Sequence, residues 1–192
     1  MARWSRPSGA LTSSPTKPGG LARLVDDLPT LSLPDAGEMS LCREATSPRQ
    51  LLDVAVASHR ATAEAQGIRL ELQADGDLPP VDVDADRIAQ VLHNLLSNAL
   101  RSTPRGGRIV LSARRTEEGV ALAVVDSGPG IPEEDPPHMF ERLHKGDRAR
   151  QRAEGGSGLG LAIARSMAEM LGGRIGVTSP SGAGATFTFV LR

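Results

Sequence analysis

The sequence predicts an α+β fold: a two-layer α/β sandwich in which a mixed, mostly antiparallel sheet is covered by helices on one face. Two repeating patterns predict it. Apolar and polar residues alternate over Ile68–Gln73, which indicates a half-buried strand. Apolar residues recur at steps of three and four after Asp84, which indicates an amphipathic helix. Because predicted strands come in consecutive pairs with helices between them, we expect one sheet with an apolar face that the helices cover.

The N-terminal part of the chain differs in composition from the rest. Residues 1–20 are rich in Ser, Pro and Gly and have no apolar period, which predicts a disordered tail or linker. Residues 21–44 begin with apolar residues at helical spacing, which Pro29 and Pro34 interrupt. At 192 residues the chain is long enough for one ordinary domain plus a modest extension.

The elements of this domain follow from periodicity, cap residues and Gly or Pro breaks. In chain order they are a helix over Pro48–Gln66, a strand over Ile68–Gln73, a helix from the N-cap Asp84 to Thr103, strands over Arg108–Ala113 and Val120–Asp126, a helix over 158–171, and strands over Arg174–Thr178 and Thr186–Leu191. The strands on either side of Glu117–Gly119 are expected to form a hairpin. Residues 127–157 are rich in Pro and charge, which predicts a long mobile connection.

Composition excludes several classes of function. The formal net charge of −1 leaves no basic field that would attract nucleic acid. The single cysteine, Cys42, cannot form an internal disulfide, and the four histidines lack metal-ligand spacing. The apolar run Val120–Val125 is too short to cross a bilayer, and no secretion signal opens the chain. We expect a cytoplasmic protein that binds no nucleic acid and does not insert into a membrane.

The helix after Asp84 carries several polar residues of types that can bind phosphates and a hard cation. Asn94 and Asn98 are four residues apart and therefore project from one face, with Arg101 one turn further on. Mg²⁺ bound to nucleotide phosphates keeps most of its waters, so one carboxamide oxygen suffices as a protein ligand. Arg101 would meet phosphate oxygens through charge-assisted hydrogen bonds. The alternative is that these residues are only the solvated face of an amphipathic helix.

Two glycine-rich loops follow. In DSGPGIP (126–132), Asp126 ends an apolar strand. Its carboxylate can accept a hydrogen bond from the exocyclic amine of adenine, whereas guanine has a carbonyl at that position and offers no donor. Gly128 and Gly130 permit close approach of the backbone. The alternative is an ordinary glycine turn after a strand.

The second loop, GGSGLGLAI (155–163), has four glycines that lead into a helix, whose N-terminal N–H groups form a phosphate cradle. It lacks the Gly-Lys-Ser/Thr of a P-loop, and a polar stretch precedes it where a Rossmann fingerprint would have a strand. It therefore has the pattern of a lid hinge over phosphates.

The order of these motifs resembles that of sensor histidine kinases. RIAQVLHNLLSNALRST (87–103) resembles their N box, DSGPGIP the G1 box, MFERLHKGD (139–147) the F box, and GGSGLGLAIARSMAEMLGG the G2 box. The resemblance runs from about residue 45 to Arg192. It implies the catalytic ATP-binding domain of the Bergerat fold, shared more distantly with gyrase and Hsp90.

The resemblance also implies residue roles. Asn98 would be the Mg²⁺ ligand, Asn94 a catalytic residue that contacts phosphates together with Arg101, and Asp126 the adenine reader. The other residues implied to bind ATP are Gly128, Gly130, Gly156, Gly158, Leu159, Gly160 and Thr186, with Lys145, Arg148 or Arg152 as a lid cation. Two positions depart from the family pattern: Ser102 stands where many relatives have tyrosine, and Leu143 replaces the second F-box aromatic, which leaves Phe140.

The phosphoacceptor histidine of the family is not recognisable in this sequence. His59 lies on a predicted helix inside the catalytic match, where a packing histidine is expected. Residues 21–39 resemble the end of the second hairpin helix, without the acceptor helix that should precede it. The sequence therefore predicts either an excised or shortened product, or one half of a split kinase whose partner brings the histidine, and no autophosphorylation in cis.

The functional hypothesis is the ATP-binding catalytic part of a two-component sensor histidine kinase. It would bind Mg·ATP and phosphorylate a histidine of a separate hairpin-domain protein or partner kinase subunit. A response regulator would act downstream. At most slow ATP hydrolysis is expected from the chain alone. Two alternatives remain open at this point: a nucleotide-binding regulatory module without transfer activity, and a serine kinase of the anti-sigma type.

Overall fold

The computed structural model describes residues 41–131, 139–140, 159–180 and 182–191. The tail and linker predicted over 1–20 and 21–39, and most of the connection predicted over 127–157, lie outside these residues. The elements are β1 (Glu44–Thr46), α1 (Pro48–Gln66), β2 (Arg69–Ala74), β3 (Val81–Val83), α2 (Ala85–Ser102), β4 (Arg108–Thr116), β5 (Gly119–Asp126), α3 (Gly160–Met170), β6 (Arg174–Thr178) and β7 (Thr186–Leu191).

Five strands form the main sheet, in the order β2-β4-β5-β7-β6. β2 and β4 run parallel, with Leu70 beside Ile109, and the other neighbours run antiparallel. The predicted mixed, mostly antiparallel sheet is therefore confirmed. β1 and β3 form a separate two-stranded antiparallel pair that the sequence analysis missed. Each has only three residues, too few for an alternating pattern to be visible.

One face of the sheet forms the core. On β4 and β7 alternate residues are buried, among them Ile109, Leu111, Phe187 and Phe189. The middle strand β5 is buried without alternation from Val120 to Val124. Helix α2 packs against α1, α3 and β5, and its apolar residues Leu92, Leu95 and Leu96 are fully buried. The predicted two-layer arrangement is thus confirmed, with α2 at its centre.

Most predicted boundaries agree with the structure within a residue or two. α1, β6 and β7 have the predicted bounds, whereas β2 begins one residue later than expected. β4 continues to Thr116, three residues further than predicted, because Thr116 still pairs with Gly119 across the hairpin. The ladder of hydrogen bonds therefore extends the strand beyond the point where its apolar pattern fades.

Candidate functional site

Helix α2 presents the asparagine face. Asp84 caps its N-terminus: Oδ1 accepts a hydrogen bond from the Arg87 amide at 3.1 Å. The apolar residues of α2 face the core, so Asn94 and Asn98 are left half-buried at its margin and Arg101 is exposed near its C-terminal end. Arg101 Nη2 donates to Asn98 Oδ1 at 3.2 Å. The Asn98 amide oxygen and the Arg101 guanidinium, two predicted site groups, are therefore in direct contact.

The start of helix α3 lies against this face. Gly160 is the first residue of α3, and a Cβ built on it would lie 3.3 Å from Asn94 Oδ1. Leu159 precedes it, and its carbonyl accepts the Ile163 amide at 2.9 Å. The described end of the second glycine loop therefore meets the asparagine helix. Since a Cβ contact at this distance is tighter than normal packing, glycine allows the approach.

Asp126 is a buried carboxylate at the end of β5, with 4% of its surface exposed. Its Oδ1 accepts the Gly128 amide at 2.8 Å, and its own amide donates to the Ala185 carbonyl at 2.9 Å. Its Oδ2 is buried and has no hydrogen-bond partner among the described residues. Burial raises the pKa of the Asp126 carboxyl, and the hydrogen bond from Gly128 opposes this rise. An acceptor that is dehydrated and unpartnered is suited to a ligand that brings a donor.

The two glycines after Asp126 are required by close contacts. A Cβ on Gly128 would lie 2.8 Å from both Asp126 Oδ1 and the Ser102 carbonyl. Gly130 has a φ of +79°, which favours glycine, and lies against the Pro180 carbonyl. The loop is therefore packed between the end of α2 and the turn after β6.

Thr186, a further predicted site residue, pairs with Val125 rather than with Asp126. Alternation along the strands places its side chain on the face of Val125, away from the buried core face. Because Asp126 Oδ2 lacks a partner, Thr186 makes no hydrogen bond to that oxygen. Its expected support of the carboxylate stays a prediction.

The sequence analysis missed the β6–β7 turn as part of this site. Ser179 Oγ donates to the Gly184 carbonyl at 2.7 Å and accepts the Ile131 amide at 2.7 Å. The Gly182 amide donates to the Pro129 carbonyl at 3.2 Å. The available signal was the Gly-x-Gly of SPSGAGA, since closely spaced glycines mark tight approach of two backbones.

Several predicted residues lie outside the described ranges: Lys145, Arg148, Arg152, Gly156 and Gly158. Phe140 is described. It is buried and packs edge-on against Phe187, with ring centroids 6.2 Å apart. The remaining F-box aromatic is thus attached to the sheet core.

His59 is buried on α1, with Nδ1 2.9 Å from the Ala55 carbonyl and its ring 5.0 Å from that of His93. This is a packing environment, as expected for a histidine inside the catalytic match. Within the described ranges, no cluster of three or more His, Cys, Asp or Glu side chains has the arrangement of a metal site. No helix there is long and apolar enough to span a membrane.

Comparison with known proteins identifies relatives of this chain. The family described as "Histidine kinase-, DNA gyrase B-, and HSP90-like ATPase" matches residues 83–192, more than half of the chain. Sensor protein DivL of Caulobacter vibrioides is 41% identical over 170 residues, which are 88% of this chain and 21% of the relative. Sensor histidine kinase WalK of Bacillus subtilis is 38% identical over 173 residues, 89% of this chain and 28% of the relative. The chain thus spans between a fifth and a third of these relatives.

Solved structures of other proteins superpose on this chain. ShkA in complex with AMPPNP superposes with a TM-score of 0.77 at 29% identity, covering 88% of this chain and 35% of that one. Histidine kinase AdeS of Acinetobacter baumannii gives 0.71 at 27% identity, covering 89% and 77%. Histidine kinase ThkA in complex with the response regulator protein TrrA gives 0.70 at 25% identity, covering 88% and 46%.

Proposed function

Because this chain belongs to the histidine kinase-, DNA gyrase B- and HSP90-like ATPase family, we propose that it is the ATP-binding catalytic part of a two-component sensor histidine kinase. It binds Mg·ATP and transfers the γ-phosphoryl group to a histidine on a separate hairpin-domain protein. A response regulator acts downstream. The observation that carries this proposal is Asp126, a buried carboxylate with one oxygen held by Gly128 and the other unpartnered.

Asp126 reads adenine. Its Oδ2 accepts a hydrogen bond from the exocyclic amine, which satisfies the buried acceptor. A guanine would bring a carbonyl oxygen to the same place and leave two acceptors facing each other, so the site favours ATP over GTP. Gly128 and Gly130 allow the loop that carries Asp126 to pack closely against Ser102 and Pro180.

Asn98 provides the protein ligand for Mg²⁺ through Oδ1. That oxygen accepts a hydrogen bond from Arg101 Nη2 at 3.2 Å. Arg101 would donate charge-assisted hydrogen bonds to phosphate oxygens. When bound, Mg²⁺ neutralises phosphate charge and keeps most of its own waters. The donor set fits such an ion because it needs a single hard oxygen from the chain.

We propose that the glycine loop before α3 binds the phosphates of ATP. Gly160 lies against Asn94, and Leu159 packs on the hydrophobic core. The described end of this loop is therefore held by contacts with helix α2 and with the core. Gly156 and Gly158 supply backbone N–H groups to phosphate oxygens. Lys145 or Arg148, with Arg152 as the third possibility, supplies a cation from the lid.

Asn94 favours transfer over hydrolysis. Its amide can orient a phosphate but cannot act as the general base that a glutamate at this position would provide to water. Catalysis then consists mainly of positioning and charge neutralisation. We propose slow ATPase activity alone, a catalytic ATP-binding domain over 45–192, a hairpin-helix remnant and linker over 21–44 and a tail or linker over 1–20. The expected cytoplasmic location stays a prediction.

The test is incubation of the purified chain with γ-labelled ATP and a protein that carries a phosphoacceptor histidine hairpin. We expect an acid-labile label on the partner's histidine that depends on Mg²⁺. Acid-stable label on a serine would instead support the anti-sigma type of kinase. Nucleotide binding without any transfer would support the regulatory module.

A further inference from the structure

Ser179 joins two segments of the candidate site that are far apart in sequence. It follows β6 and is half-buried. Its hydroxyl makes two hydrogen bonds of 2.7 Å, donating to the Gly184 carbonyl and accepting from the Ile131 amide. One atom therefore connects Ile131 of the DSGPGIP loop to Gly184, which lies in the turn before β7.

These two bonds belong to a larger set of contacts between the same segments. At the beginning of the loop, the Asp126 amide donates to the Ala185 carbonyl at 2.9 Å. In the middle, Pro129 accepts the Gly182 amide at 3.2 Å. Gly184, with a φ of +80°, lies so close that a Cβ there would be 1.9 Å from the Asp126 carbonyl oxygen. The loop is held at its start, middle and end, and Ser179 holds the end.

We propose that Ser179 is a positioning residue for adenine recognition. It closes the loop that begins at Asp126, so that the unpartnered Oδ2 and the Gly128 amide keep their orientation before a nucleotide arrives. This inference rests on the proposed function, because it names a residue that supports the same site. Preorganisation of this kind improves affinity by removing the cost of ordering the loop on binding.

A hydroxyl is the chemical group that this position requires, because one oxygen must both donate and accept a hydrogen bond. The Ser179 hydroxyl donates to a carbonyl and accepts from an amide. Alanine would leave both without this partner. Threonine retains the oxygen and can restore both bonds. A serine elsewhere on the surface lacks this connecting role: Ser58 Oγ only donates to the Val54 carbonyl within α1, at 2.8 Å.

The experiment compares binding of Mg·ATP and Mg·GTP by calorimetry in the wild-type chain, Ser179→Ala, Ser179→Thr and the control Ser58→Ala. Loss of the loop's closing bonds should weaken ATP binding about tenfold in Ser179→Ala. GTP binding, which gains little from Asp126, should change less, so the ATP/GTP preference falls. Ser179→Thr should restore most of the preference, and Ser58→Ala should match the wild type.

Each other outcome decides a separate question. An equal loss of ATP and GTP binding in Ser179→Ala, or an unchanged preference, would overturn the positioning role. A threonine variant as defective as the alanine variant would also overturn it, because the shared oxygen would then not matter. If the wild-type chain binds neither nucleotide, the proposed function itself fails, independently of Ser179.

Discussion

Asn94 and Gly160 meet across 66 residues of sequence: the amide oxygen of Asn94 lies 3.3 Å from the place of a Cβ on Gly160. Gly160 begins helix α3, and Asn94 is on the central helix α2. The contact brings the end of a glycine-rich loop to the helix face that carries the proposed phosphate and metal ligands. This is where the two halves of the proposed ATP site join.

The substitution Gly160→Ala tests this contact. A methyl group would press on Asn94 Oδ1 and displace the amide, so Mg·ATP affinity should fall several-fold. Stability should change little, because alanine is favoured in a helix by up to about 1 kcal/mol over glycine, which offsets the crowding. The measurements are calorimetric binding and thermal unfolding. Gly76→Ala is the control, since a Cβ on Gly76 meets nothing within 4 Å; equal ATP affinity in both variants would contradict the prediction.

Asp126→Asn should stabilise the chain without nucleotide. Burial raises the folded-state pKa of Asp126 above its ordinary value of 3.8. The protonated carboxyl therefore makes its full contribution to the free energy of unfolding at pH values below the pKa of the unfolded state. This contribution is lost as the pH rises through the pKa of the folded state. Asparagine stays neutral, so at pH 7 it should raise the free energy of unfolding by about 1 kcal/mol.

The check on Asp126→Asn is urea unfolding between pH 4 and pH 8. The stability difference between the variant and the wild type should shrink as the pH falls. ATP binding should be weaker in the variant even though the protein is more stable. A stability difference that does not depend on pH would show that the carboxylate charge is not its cause.

Asn98→Ala should abolish Mg²⁺-dependent transfer. The proposed ligand oxygen is lost, and Arg101 loses the acceptor that holds it at 3.2 Å. Labelling of a hairpin-domain partner should drop by about 100-fold or more, the range typical for loss of one electrostatic group at a reacting centre. Ser97→Ala, the neighbouring position on the same helix, is the matched control. Full labelling by Asn98→Ala would exclude Asn98 as the metal ligand.

His59→Leu should leave transfer intact and change the stability of the protein little. Nδ1 faces a carbonyl, so it carries the proton, and Nε2 is buried with no partner among the described residues. Removing an unsatisfied buried acceptor can offset the lost packing, with a net change of about 1 kcal/mol or less. The measurements are chemical unfolding and labelling of the hairpin partner. Label found on His59 of the wild-type chain would contradict its structural role.

Much of the fold was predictable from residues close together in the chain. The apolar period of α2, its Asp84 cap and the strand alternation of β7 each act within a few residues, through hydrogen bonds and burial of one face. The same locality allowed the asparagine face of α2 to be recognised. β1 and β3 escaped prediction because three residues carry too little pattern.

By itself, the sequence determined the fold class, the central helix, the two glycine loops and the family to which they belong. Only the tertiary structure decided that Gly160 meets Asn94, that Ser179 bonds Ile131 across 48 residues, and that Thr186 pairs with Val125. The physical reason is that cap and period effects are local, whereas strand register and loop contacts depend on how the whole core packs. Burial of Asp126 with one oxygen unpartnered is such a product of packing, and it is the feature on which the proposed function most depends.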